Sequence, residues 1–151
     1  MRARITSAIV RVGLAKEAFP CLSRIKSVPK ASISLPKDRP KPIDHYKTMS
    51  VQKPISQPSK ILLIDDIITR GSTLLGAANR LLDIFPYTPM LAFAAIRTIS
   101  NPEEFNQIYD PCIGMITLRE SGDTIRRPKP LLNIVNEVFL TYLLKISAYS
   151  I

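Results

Sequence analysis

The chain has no tryptophan, a single histidine and two cysteines in 151 residues. It also lacks any uninterrupted apolar run near the roughly 18 residues that a membrane-spanning helix needs. Cys21 and Cys112 have no CxxC or Cys/His spacing around them, which argues against a zinc site or a disulfide framework and suits a reducing cytoplasm. The N-terminal stretch MRARITSAIVRVGLAKEAF is interrupted by Arg11, Lys16 and Glu17, so it has no secretory apolar segment. Acidic residues are few: 21 Lys and Arg stand against 12 Asp and Glu, for a formal net charge of +9. Nine of the basic residues lie between Arg24 and Lys60, where Asp38 and Asp44 are the only acids. Such a local excess suits an anionic ligand, whether phosphate, pyrophosphate or nucleic acid. Aromatics are sparse in the same stretch, Tyr46 being the only one between Phe19 and Phe85, which counts against a base-stacking platform. At this length and apolar content we expect one domain, residues 1–151, burying about 70% of its unfolded surface.

Hydrophobic spacing gives a coarse map. Ile5, Ala8, Ile9, Val12, Ala15 and Phe19 recur at steps of three and four, which predicts a helix over 2–19 closed by Pro20. A proline-rich stretch follows, with short strands expected at Leu22–Val28 and Tyr46–Val51. Between them lies a mobile basic loop at about 29–45, containing SLPKDRPKPIDH. Ile61–Ile64 reads as a strand covered on both faces and central in its sheet. The pattern from Ser72 to Phe85 predicts a helix, and Met90–Ile96 a second buried strand, joined to the first by a right-handed parallel crossover. A short helix after Pro102, a strand at Cys112–Leu118 and an apolar helix from Leu131 to about Ser147 complete the map. The breadth of the last helix's apolar surface also suits a homodimer interface.

The stretch that carries chemistry is ILLIDDIITRGST, Ile61 to Thr73. An apolar strand meets two carboxylates and then breaks into a hydroxyl-rich turn. Asp65 and Asp66, when ionised, are acceptors suited to a vicinal pair of hydroxyls. One of them could equally cap the following turn. Thr69, Ser72 and Thr73 surround Gly71, whose missing side chain allows close backbone approach to a phosphate, and a helix starting at Ser72 adds its positive dipole end. Ser72 or Thr73 as an ordinary N-cap is compatible with that use, because the same unpaired N–H groups serve both.

In these residues the chain resembles the type I phosphoribosyltransferases, whose phosphoribosyl-pyrophosphate motif has the same order: four apolar residues, an acidic pair, two apolar residues and a threonine-rich turn with a glycine. The segment LSRIKS, the basic loop and HYKTMSV ahead of the motif are similar to the ComF-like competence branch. The resemblance implies an α/β, Rossmann-like fold with a parallel sheet. It implies that Asp65 and Asp66 bind the ribose hydroxyls, that Thr69, Arg70, Gly71, Ser72 and Thr73 bind the 5′-phosphate, and that magnesium binds on the pyrophosphate with no direct protein ligand. The implied activity is transfer of phosphoribosyl to a nitrogen acceptor in nucleotide metabolism, with Lys37, Arg39, Lys41 or Lys47 neutralising the departing pyrophosphate. Arg70 departs from the small residue usual at its position. The first helix begins almost at Met1, where the family has a strand and a pyrophosphate loop. Both departures leave open a non-enzymatic regulatory or single-stranded DNA-binding module of the same fold. A receiver domain also opens with a strand such as ILLIDD, but sixty residues precede it here and Asp110 follows no buried strand. His45, the only histidine, is expected in an exposed loop without a role.

Overall fold

The helix α3 (Ser72–Leu82) joins two strands, β3 (Ile61–Ile68) and β4 (Met90–Arg97), that run parallel in register from Ile61↔Met90 to Ile68↔Arg97. The computed structural model describes residues 1–29, 38–99, 112–128 and 144–146. Ahead of this unit come α1 (Arg2–Arg11), β1 (Leu22–Arg24), α2 (Pro42–Lys47) and β2 (Met49–Val51). After it come β5 (Gly114–Leu118), β6 (Thr124–Pro128) and β7 (Leu144–Ile146). β1 and β2 form an antiparallel pair, and the described strands of the main sheet run in the order β3-β4-β7-β5-β6.

The fold is α/β, and its main sheet is mixed rather than parallel. β3–β4 and β5–β7 are parallel, whereas β4–β7 and β5–β6 are antiparallel. β3 ends the described order instead of sitting at its centre, since β4 is its only partner among the described strands, and β7 lies between β4 and β5. The segment 144–146 is therefore strand, where an apolar helix was expected. The rest of that expected helix lies outside the described residues, as does the expected short helix after Pro102.

The core explains why β3 and α3 are fixed so firmly. Leu74, Leu75, Ala77, Ala78 and Leu81 of α3 are buried with Leu63 and Ile68 of β3, Ala92 and Ala94 of β4, and Ile116 of β5. At about 1.5–3 kcal/mol per fully buried large aliphatic side chain, this cluster is the main source of stabilisation. α1 stops at Arg11, well short of the expected Phe19, and the chain reverses through Gly13 at φ 77°.

Two further boundaries bear on the site. β3 continues through Asp65 and Asp66 to Ile68, because β4 supplies a parallel partner along that length, so the acids stand within the strand. The expected loop at about 29–45 ends instead in α2, which starts with Pro42 in its first turn; Asp44 Oδ2 accepts the Lys41 backbone N–H at 2.8 Å. Both are favourable helix-start features. α2 packs on α3 at Gly76, where an added Cβ would lie 2.5 Å from the Pro42 carbonyl oxygen and 2.7 Å from His45 Cβ. The Tyr46 hydroxyl donates to Asp83 Oδ2 at 3.0 Å and the Arg80 guanidinium stacks over the Tyr46 ring, which fastens the same contact. No helix among the described residues is long and apolar enough to cross a membrane.

Candidate functional site

The chain leaves β3 at Ile68, turns through Thr69, Arg70 and Gly71, and enters α3 at Ser72. Gly71 holds the N-cap position in the left-handed region, φ 90° and ψ 10°. A side chain there would be strained by its backbone and would also meet Ile116, whose Cδ1 lies 2.8 Å from the position of an added Cβ. The glycine is thus required by packing against β5, a reason independent of any ligand. No side chain caps α3, so the N–H groups of its first turn are open to an external acceptor.

A cleft opens on this turn, with a volume of about 50 Å³. By the space a water requires, that is room for a few waters. One wall is Asp65 and Ile67, which share a face of β3, together with Ile68 at the strand's end and Thr69 to Leu74; the other is Arg39, Pro40 and His45. All five residues expected to bind phosphate therefore line one cleft, with Asp65 beside them.

Their present bonds differ. The Ser72 hydroxyl pairs with that of Thr124, which is buried, at 3.0 Å. The Thr73 hydroxyl lies 3.4 Å from His45 Nε2. Arg70 is ion-paired with Asp123, so its long side chain is drawn toward the β5–β6 connection. Thr69 is exposed.

Asp65 and Asp66 are not equivalent. Asp65 is buried and lines the cleft, whereas Asp66 is not among the lining residues. Arg2 of α1 reaches both, its Nε lying 2.9 Å from Asp65 Oδ1 and 3.4 Å from Asp66 Oδ1. Burial pushes the Asp65 carboxyl up from its ordinary value, and a hydrogen bond with Asp66 and the Asp66 charge add to this, while Arg2 opposes it. Asp66 is held low chiefly by the hydrogen bond from Asp65.

Three residues on the far wall carry no mark in the motif. His45 is on α2 and buried, not in an exposed loop. Its Nδ1 lies 3.3 Å from Arg24 Nη2. Desolvation lowers its pKa, and Arg24 lowers it further against a smaller opposing effect of Asp44. Arg39 also lines the cleft, and its buried Nε has no hydrogen-bond partner among the described residues. Of the other cations considered for a pyrophosphate, Lys41 donates to the Ser121 carbonyl at 2.8 Å, Lys47 is exposed, and Lys37 lies outside the described residues. The helix-start pattern Lys41-Pro42-Ile43-Asp44 was the sequence feature able to place His45 on a helix. Among the described residues no cluster of three His, Cys, Asp or Glu is placed to hold a metal. Comparison of the chain with protein-family models, with curated proteins and with solved structures gives no match.

Proposed function

We propose that the chain binds a phosphoribosyl compound, phosphoribosyl pyrophosphate or a nucleoside monophosphate, with its phosphate in the cleft at the turn after β3. One observation carries this reading: the uncapped start of α3 and Arg39, whose buried Nε has no hydrogen-bond partner among the described residues, border the same small cleft. A buried guanidinium N–H without an acceptor costs free energy that an oxyanion returns, and open helix-start N–H groups favour the same charge. Asp65 lines the same cleft, and its carboxyl is the acceptor this reading assigns to a sugar hydroxyl. Magnesium enters with the ligand's pyrophosphate and keeps much of its water shell.

Transfer of phosphoribosyl to a nitrogen acceptor would use the same geometry to hold the sugar in line and to neutralise the leaving group. A non-enzymatic, ComF-like use of the site is favoured by one feature: Arg2 already spans both acids, so a ribose must displace a cation of the chain itself. Calorimetric titration with phosphoribosyl pyrophosphate decides the binding reading. Saturable, magnesium-dependent heat is expected, and Asp65→Asn with Asp66→Asn should weaken it at least about tenfold while leaving the circular dichroism unchanged. The fold should tolerate this pair, since burial already opposes the charge on Asp65. Absence of heat with the unaltered chain would reject the proposal.

A further inference from the structure

The chain's one histidine is buried on the wall of the cleft, between a donor and a hydroxyl. An arginine guanidinium can only donate, so the contact of Arg24 Nη2 with His45 Nδ1 makes Nδ1 the acceptor. In neutral imidazole the proton is then on Nε2, which faces Thr73 Oγ1. Arg24 is itself held, its Nη1 donating to Thr48 Oγ1 at 2.9 Å, while that hydroxyl donates to the Asp44 carbonyl at 2.7 Å. The bonds run in one direction: Arg24 to His45, and His45 to Thr73. Once Thr73 Oγ1 accepts from the imidazole, its own proton must be given elsewhere. Among the described residues the hydroxyl has no other hydrogen bond, and Thr73 lines the cleft.

Resting on the anion-binding reading above, we propose that His45 is a positioning residue, which turns the Thr73 hydroxyl so that its proton is offered to an oxygen of a phosphate monoester in the cleft. The groups around it agree with that task. Arg24 faces Nδ1 from β1, Asp44 precedes His45 on α2, and Arg39, Arg70 and Asp65 line the same cavity, with Arg70 committed to Asp123. Arg24 and burial both disfavour an imidazolium, so the relay is set as a neutral donor chain. Without His45, the Thr73 hydroxyl could turn its lone pairs, rather than its proton, toward an incoming anion.

Because the chain has one histidine, imidazole nitrogen NMR on the labelled full-length protein reads this residue alone. With ribose 5-phosphate as the probe, the Nε2–H tautomer is expected, with an Nε2 resonance that shifts saturably on titration and has the same midpoint as calorimetry with that ligand. Thr73→Val should lower affinity about tenfold and abolish the Nε2 response, whereas Thr73→Ser should retain both. A protonated Nδ1, or a Thr73→Val variant with undiminished affinity, overturns the inference. So does an Nε2 resonance unmoved while calorimetry shows the ligand bound, an outcome that leaves the binding proposal standing. Silence of both measurements removes the two together. If Thr73→Val does not fold, the response of the unaltered protein and of Thr73→Ser still decides.

Discussion

Asp65 and Asp66 show how neighbouring identical residues acquire opposite chemistry. On a strand, successive side chains point to opposite faces, so one acid enters the cleft wall and the other lies outside it. That much is implied by the strand assignment. Arg2's reach to both acids, 64 positions away in the case of Asp66, is not, because nothing local in either segment names the other. The consequence is a pH dependence with a definite sign. A carboxyl whose folded value is raised stabilises the fold when protonated, and that contribution is lost as pH rises through the folded value. Asp66, held low, acts in the opposite sense, but only below the ordinary carboxylate value of about 4. Between about pH 4 and pH 7 Asp66 no longer contributes to the pH dependence, and the lowered value of His45, which makes the fold gain stability as pH rises there, is common to parent and variant and cancels in their difference. Asp65→Asn removes the Asp65 effect, so the variant should gain stability relative to the unaltered protein as pH rises across that window. Urea unfolding at both ends of the window measures this; a constant difference, or one moving the other way, contradicts the assignment.

At the scale of elements, the β3–α3–β4 unit was legible because apolar runs and helical spacing are local, and its parallel pairing follows from connection length. The end of β3 was misplaced because two charges look like a strand terminus, while the backbone partner that continues the ladder is 29 residues away in sequence. α2 was hidden by its three neighbouring prolines, although Pro42 starts the helix rather than preventing it. What places α2 is Gly76, a position no local rule marks as special. An alanine there would put Cβ 2.5 Å from a backbone oxygen, which cannot rotate away as a side chain can. Gly76→Ala should therefore gain helix propensity yet lose about 1–3 kcal/mol overall by forcing α2 outward. His45 moves with α2, so the Nε2 resonance should also lose its buried character. A variant as stable as the parent, with the imidazole unchanged, would show that α2 is not held by this contact.

Across the whole molecule the long-range order of the sheet was the least legible feature. Leu144–Ile146 lies in a run apolar on more than one face, and such a run does not distinguish a helix from a strand until its neighbours are known. Net charge, by contrast, is read directly from composition, and it raises the competing use of the chain as a nucleic-acid binder. A charge of +9 attracts any polyanion at low salt, so binding of an oligonucleotide under those conditions discriminates nothing. The salt dependence does. Displacing counterions from a single strand gives a logarithmic slope of about −0.7 per phosphate contacted, so six contacts lose a few hundredfold in affinity between about 50 and 200 mM salt. A monoester held in one cleft by Arg39 and helix-start N–H groups neutralises about two charges and should lose less than about tenfold over the same range. Fluorescence anisotropy with a labelled oligonucleotide, beside calorimetry with ribose 5-phosphate, separates the two. Oligonucleotide association is expected to vanish by about 200 mM salt while the sugar phosphate remains bound. The opposite ranking, with the strand retained and the monoester released, would transfer the function from the cleft to the basic surface.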